Sequence, residues 1–438
     1  MIYNTIPFLK NNRVLTFLVT MLLFQTTKAQ NDVWIDKNEN ENYTARHECS
    51  FVQAGDKFIM FGGRENAQQL DIYDFKTDTW SIGTKAPKEF NHFQATFYKG
   101  FVWVIGSFKT NKFPKEIPAD NIWLYNPTTQ TWIQGPEIPK DRRRGGAGLA
   151  IYNDKFYLIG GNTIGHNGGF VNWFDEYDPF TNTWTRLKNA SQPRDHFSAA
   201  IINHTLYAVG GRQSGGEGGV FKPLVGIVDV YNFKTKTWST LKKPIPTKRA
   251  APAVAVFNNK LYVMGGEGET KGPAYKTLEV YNPKTQTWET KQEMNYPRHG
   301  TQAIVSGNGI YVAGGSPKRG GGKQHNMEVY NKDDAKGVPL APSKLQTPSK
   351  VYIKKGGLKK IKIKNKGGNT GNFITTVSII GPDKNQFKLH SNLDFTLINP
   401  NKKAIIEVEH IGNKIDTAAS IIIQYNGNLT KQIPLKAK

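Results

Sequence analysis

The stretch YNPKTQTW, Tyr281 to Trp288, recurs in near copies as YDFKTDTW, YNPTTQTW, YDPFTNTW and YNFKTKTW, ending at Trp80, Trp132, Trp184 and Trp238. In each, a Tyr stands seven residues before a Trp across a polar turn. The opening tyrosines are Tyr73, Tyr125, Tyr177, Tyr231 and Tyr281, with a sixth at Tyr330, spaced by 52, 52, 54, 50 and 49 residues. A period of this length means one supersecondary unit stacked repeatedly, because a single unit cannot bury its own apolar face. A second marker precedes each Tyr: FIMFGG, FYLIGG, LYAVGG, LYVMGG and IYVAGG, ending at Gly63, Gly161, Gly211, Gly266 and Gly315, with VWVIGS ending at Ser107 in the second repeat. Such short runs of β-formers read as buried strands, and their terminal glycines allow positive φ or close backbone approach.

An apolar strand ending in Gly-Gly, followed by a spaced Tyr and Trp, resembles the kelch repeat over roughly residues 31–335. The resemblance implies a β-propeller whose four-stranded blades surround a channel and pack aromatic rings between sheets. Tyr330 is followed by NKDDAKG instead of a spaced Trp, and Trp34 has no Tyr before it. Trp34 lies 12 residues before Arg46, close to the 10 or 11 separating Trp184 from Arg194, Trp238 from Arg249 and Trp288 from Arg298. The expected fold is therefore all-β: a six-bladed propeller over residues 30–335, closed by the N-terminal strand.

KGVPLAPSKLQTPSK, residues 336–350, carries three prolines and no apolar period, and reads as a linker. Beyond it KKIKIKNK alternates strictly, and FITTVSII, FTLI, AIIEVEH and SIIIQY follow at short intervals, a sandwich pattern over residues 351–438. KIKNKGG, SIIGPDKNQFKL and AIIEVEH resemble immunoglobulin-like modules of the ASPM/SPD-2/hydin type. Residues 339–438 hold 17 Lys against 5 acidic residues, a net +12 out of the chain's +23.

Lys10 and Arg13 precede the apolar run from Val14 to Phe24, and Thr27-Lys28-Ala29 offers small residues for cleavage, so residues 1–29 read as a signal peptide. No other segment is apolar enough to span a bilayer, and the mature chain is expected to be secreted or periplasmic without a transmembrane segment. Export turns the basic charge away from nucleic acid and toward anionic polysaccharide or a cell-surface glycan. The single cysteine, Cys49, rules out an intramolecular disulfide and a multi-cysteine zinc site. Carboxylates are not densely clustered, so no metal or other cofactor is expected.

Loops entering each blade, and loops between second and third strands, gather on one face of a propeller, and function in such scaffolds lives on loops. In register these loops supply Arg46-His47, Asn91-His92, Arg142-Arg143-Arg144, Arg194-Asp195-His196, Lys248-Arg249 and Arg298-His299, then Arg64, His166, Arg212, Glu267, Glu269 and Arg319. The expected ligand-binding set is Arg46, Arg64, His92, Arg143, Arg144, Arg194, Arg212, Arg249, Arg298 and Arg319, because guanidinium forks suit carboxylate and sulfate. In kelch repeats an Arg at this position can instead tie blades together through backbone carbonyls. His47, His196, His299 and Glu267 are the candidates for acid–base work.

Binding of uronic-acid or sulfated polysaccharide in this basic mouth, in polysaccharide utilisation, is the expected function. An enzyme using the same mouth is the alternative. Resemblance to the secreted sialic-acid mutarotases implies a carboxylate and an Arg, here Glu267 with Arg298 or Arg319; a lyase would need His or Tyr as base. A galactose-oxidase-like copper radical site is excluded, because Phe93 stands where the cross-linked Tyr would be needed beside Cys49. A protein interaction module, with the C-terminal domain meeting a protein partner, is the third reading.

Overall fold

The computed structural model describes residues 32–438; the signal segment expected over residues 1–29 lies outside them. Among the described residues the only helical elements are three single turns, Lys140–Arg142, Gly165–Asn167 and Lys384–Gln386, and no helix is long and apolar enough to cross a membrane.

Residues 34–330 build six antiparallel four-stranded sheets. The first runs Cys49–Ala54, Lys57–Gly62, Leu70–Asp74 and Thr79–Ile82 from inner to outer edge. Four more repeat this order over residues 96–137, 148–186, 198–240 and 253–291. The sixth takes Ala303–Ser306, Gly309–Ala313 and Asn326–Tyr330 from the end of the series and Trp34–Glu39 from its start as the outer strand. The apolar runs before the glycines are the second strands, buried almost throughout because both faces lie against neighbouring sheets.

The Tyr–Trp motif acts at two levels. In the first five sheets Tyr and Trp are direct cross-strand partners on the third and fourth strands, with ring centroids 4.9–5.2 Å apart. The indole Nε1 of Trp132, Trp238 and Trp288 then donates to the carbonyls of Thr84, Lys188 and Lys243, at 3.2, 2.7 and 3.3 Å, just past the outer strand of the preceding sheet. Trp34 follows the same rule: it faces Tyr330 with ring centroids 5.3 Å apart and donates to Gln292 O at 2.9 Å.

The inner ends of the sheets are joined by a cycle of backbone hydrogen bonds. His92 N donates to Glu48 O, Gly146 N to His92 O, His196 N to Gly146 O, Ala251 N to His196 O, Gly300 N to Ala251 O and Cys49 N to Gly300 O, at 2.6–3.2 Å. Glu48, His92, Gly146, His196, Ala251 and Gly300 all hold left-handed backbone, with φ between 49° and 69°. Beneath this cycle, Gln94 accepts from the amides of Leu149 and Ala199, and Gln302 takes the amide of Ala95, leaving an internal space of only about 40 Å³.

The C-terminal part is two sheets sharing one apolar cluster that includes Ile361, Ile363, Ile406, Val408, Ile421, Ile423 and Ile433. Lys344–Gln346, inside the stretch expected to be a free linker, pairs with Leu358–Lys366 because Leu345 has an apolar place in that cluster. Lys360, Lys362 and Lys364 alternate outward between buried Ile361 and Ile363. This part sits on hairpins of the second and third sheets: Gly371 N donates to Lys99 O and Leu397 N to Pro179 O, and Phe373 packs edge-on to Trp103 at 5.7 Å. Those hairpins are at the opposite ends of the strands from the left-handed cycle.

Candidate active site at the propeller mouth

The arginines that enter the sheets do not form an open ring. Arg46, Arg144, Arg194, Arg249 and Arg298 are fully buried within their own sheets. Arg194 donates to the carbonyls of Ala208, Gly210 and Ile227 at 3.1, 3.0 and 2.9 Å and to Asp229 at 2.7 Å. Arg46 pairs in the same way with Asp71, Arg144 with Asp175, Arg249 with Glu279 and Arg298 with Glu328. These five leave the expected ligand-binding set, because every guanidinium is buried against carbonyls and a carboxylate of its own sheet, out of reach of solvent. The sequence carried a signal for this: each acid stands two residues before the repeat's Tyr, and the one repeat with Trp123 at that position has Phe90 where the others have Arg. Arg143 also turns away, paired with Asp120 and Glu137 on the outside.

What reaches the mouth is the residue after each buried Arg and the one after that. The second glycine of each pair makes room for it: a Cβ on Gly63 would sit 2.4 Å from His47 O, and one on Gly211 2.7 Å from Asp195 O. The left-handed position following holds Gly146, Ala251 and Gly300 in three repeats and Glu48, His92 and His196 in the others. An L-residue with a side chain costs roughly 1–2 kcal/mol there relative to right-handed backbone. Glu48, His92 and His196 thus bear that cost at a position which Gly146 and Gly300 fill without it.

A cavity of about 330 Å³ opens above them, lined by His47, Glu48, Arg64, His92, Asn111, Phe113, His166, Arg212, Phe221, Glu267 and Gly320. On one side Glu116 bridges Arg64 and His166, and Arg64 lies over the Phe113 ring. On the other, Glu267 pairs with Arg212 and accepts from Gly320 N at 2.7 Å, while Arg212 and Arg319 both lie over Phe221, at 5.1 and 4.3 Å. Glu267 therefore works with Arg212; Arg298 is locked inside its sheet, and Arg319 holds the rim through Glu269 O. The expected basic mouth, with Glu267 among its arginines and histidines, is more mixed than its Arg count suggested: each cavity guanidinium has a carboxylate beside it.

The histidines fall into two groups. His92, His166 and His196 converge with ring centroids 4.5–4.9 Å apart. His47 is held by Glu65 at 3.0 Å, and His299 lies 3.5 Å from both Glu48 and Glu267. Burial disfavours charge on His92 and holds it well below the ordinary histidine value; burial likewise pushes His166 down to about 4, outweighing its bond to Glu116. Burial also opposes charge on His299, but the carboxylates of Glu267 and Glu48 overcome it and raise its pKa. Glu48 and Glu267 lie below the usual carboxylate value despite burial, through His92 and His299 for the first and through His299 and Arg212 for the second. The mouth thus sets His92 and His166, biased toward the neutral form, beside His299, biased toward the charged form by two carboxylates. Burial pushes the Cys49 thiol up to about 12, so it supplies no nucleophile.

Of the residues singled out from sequence, His47, Arg64, His92, His166, His196, Arg212, Glu267 and His299 are brought together here, with Arg319 at the rim. Glu48 was missed although it stands at the same repeat position as His92 and His196, two residues after Arg46, and that register could have found it; Glu116, Phe113 and Phe221 were missed because they arrive through loops that meet only in the assembled fold.

Residues 16–211 and 166–315 match the KLHDC2/KLHL20/DRC7 Kelch-repeats domain family. The chain is 28% identical over 229 residues to Kelch-like protein terF of Aspergillus terreus, covering 50% of this chain and 49% of that protein. It is 25% identical over 238 residues to human Kelch-like protein 23, covering 53% and 39%. It thus spans about half or less of the length of these relatives. A solved structure titled "Structure of YjhT" matches with a TM-score of 0.56 and 16% identity, covering 66% of this chain and 95% of that one, a likeness of fold. The chain belongs to the kelch-repeat family, and its four-stranded sheets are those of a kelch β-propeller.

Proposed function

We propose that this is an exported kelch propeller that binds a sugar acid, free or at the end of an oligosaccharide, in the mouth cavity. The observation that carries the reading is the pair of walls facing each other across it, Arg64 on Phe113 and Arg212 on Phe221. Aromatic faces suit the C–H surface of a pyranose, and the guanidinium–carboxylate pairs suit hydroxyls together with one acidic group. The volume is at the small end of the roughly 300–1,000 Å³ of small-molecule sites. A densely sulfated chain fits less well, because the cavity's arginines are already partnered. In this reading the six sheets are the blades of one ring, closed by the strand from Trp34 to Glu39, and the C-terminal part is an immunoglobulin-like domain outside the site, available to a cell-surface or protein partner.

The test is calorimetric titration of the mature chain with uronic and nonulosonic acids and their oligosaccharides. Binding that falls at least tenfold in Phe221→Ala and Arg64→Met, with thermal midpoints near wild type, supports the reading. Binding unaffected by both sinks it. One feature favours catalysis in the same cavity: His299 between Glu48 and Glu267 is arranged as a proton donor and acceptor set. Anomeric exchange followed by NMR, or an unsaturated sugar product, would place the protein with the mutarotase or lyase alternative; Glu267→Gln would then lower turnover far more than it lowers binding.

A further inference from the structure

We propose that His92, His166 and His196 form a binding site for one late first-row divalent cation, of which zinc is the type. The inference stands apart from the identity of the saccharide.

The first ground is convergence. The three side chains come from three loops: His92 and His196 from left-handed positions entering the second and fourth sheets, and His166 from the turn Gly165–Asn167. One nitrogen of each lies within 4.8 Å of the other two, and Nε2 of His166 and His196 are 3.2 Å apart. Zinc–nitrogen bonds of 2.0–2.1 Å at a tetrahedral angle put ligand nitrogens about 3.3–3.4 Å apart. Two of the ligands already stand at that spacing, and His92 offers a nitrogen within 4.8 Å of both.

The second ground is the tautomer each ring must adopt. His92 Nδ1 is 2.6 Å from Asn91 Oδ1, and Asn91 spends its amide hydrogens on the carbonyls of Glu89 and Thr110, so its oxygen can only accept. His196 Nδ1 faces the Asp195 carboxylate, itself held by Ser214 N and Oγ at 3.0 and 2.6 Å. His166 Nδ1 is 3.0 Å from the Glu116 carboxylate, which is anchored by Arg64. All three acceptors draw hydrogen to Nδ1, which leaves the Nε2 lone pairs of His166 and His196 facing each other, with His92 Nε2 free of that hydrogen and 3.6 Å from Glu48. With both rings neutral, a lone pair against a lone pair at 3.2 Å is repulsive. A cation at the centre turns the repulsion into coordination. Carboxylate or amide oxygen behind each imidazole is also the arrangement that orients metal-bound histidine and strengthens it as a ligand.

The third ground is charge and access. The Glu48 carboxylate lies 3.6 Å from His92 Nε2, and His92 and His166 both line the cavity. Three imidazole ligands, two of them on the cavity wall, match the ligand count of a catalytic rather than a closed structural site. Neutral nitrogen ligands select zinc, copper, nickel or iron over calcium and magnesium.

The test uses the mature full-length chain, stripped with chelator, dialysed and titrated with zinc chloride and, separately, cobalt chloride. The expected result is one equivalent bound, with cobalt giving the visible absorption of a four- or five-coordinate nitrogen-rich site. His166→Gln and His196→Gln should weaken zinc binding by at least about 100-fold, and Asp195→Asn by about 10- to 100-fold. The surface variants His204→Gln and His390→Gln should bind as wild type. If the core histidine variants unfold, Asp195→Asn carries the decision, since it preserves shape. Failure of the folded wild type to hold one equivalent, or undiminished binding by a folded His166→Gln, His196→Gln or Asp195→Asn chain, overturns the site.

Discussion

Replacing Arg194 by Met tests whether the repeated arginines hold the sheets or the ligand. The change removes three donations to carbonyls and one to Asp229, and leaves Asp229 buried with only Ser191 Oγ and Gln192 N as partners. Breaking one side of a buried ion pair costs about 3–5 kcal/mol, mostly the penalty of the charge left behind. At roughly 2–4 °C per kcal/mol for a large domain, and toward the lower end for one this size, the thermal midpoint should fall by roughly 6–15 °C. Arg194→Met with Asp229→Leu removes the stranded charge and should recover more than half of that loss. Calorimetric scans give the midpoints, and saccharide titration well below them should give wild-type affinity, because Arg194 lines no part of the cavity. A variant that lost binding with its midpoint unmoved would refute the structural assignment, and a double variant less stable than the single would refute the stranded-charge account.

Other expectations follow from the same geometry. Trp34→Ala removes the ring facing Tyr330 and the bond to Gln292, and should lower stability by about 3 kcal/mol or more in urea unfolding. No change would mean that the N-terminal strand is dispensable. Ala251→Gly, at φ 49° in a position where two other repeats already carry Gly, should raise stability by up to about 1 kcal/mol without touching binding. Stability should also depend on pH through the mouth. His299 is raised from 6.5, so its contribution is complete below that pH and fades as pH rises through its folded value; Glu267 is lowered from 4.5, so its contribution is complete above that pH and fades in acid. Midpoints of wild type minus His299→Gln, scanned over pH, should therefore show the largest difference near pH 5–6 and shrink toward alkaline pH; a flat difference would contradict the pairing.

The period near 50 residues, the Gly-Gly strands and the Tyr–Trp spacing were enough to read the kelch propeller, because each is a local device repeated in every unit. The place of Trp34 was legible for the same reason: its distance to Arg46 keeps the repeat's own register. The site was legible only in part. His47, His92, His196 and His299 stand at fixed positions in the repeat, so the sequence placed them at one mouth. Whether an Arg there faces ligand or its own sheet depends on an acid some 25 to 35 residues away, and that pairing becomes visible only when Arg46 is set against Asp71 and Arg194 against Asp229. Glu116 and His166 meet because loops of neighbouring sheets interlock, and Phe113 and Phe221 become opposing walls only once the sheets are arranged around the channel. Repetition determined the scaffold from the sequence alone; the chemistry lies in the places where the repeats differ, and those differences act on one another only across the assembled mouth.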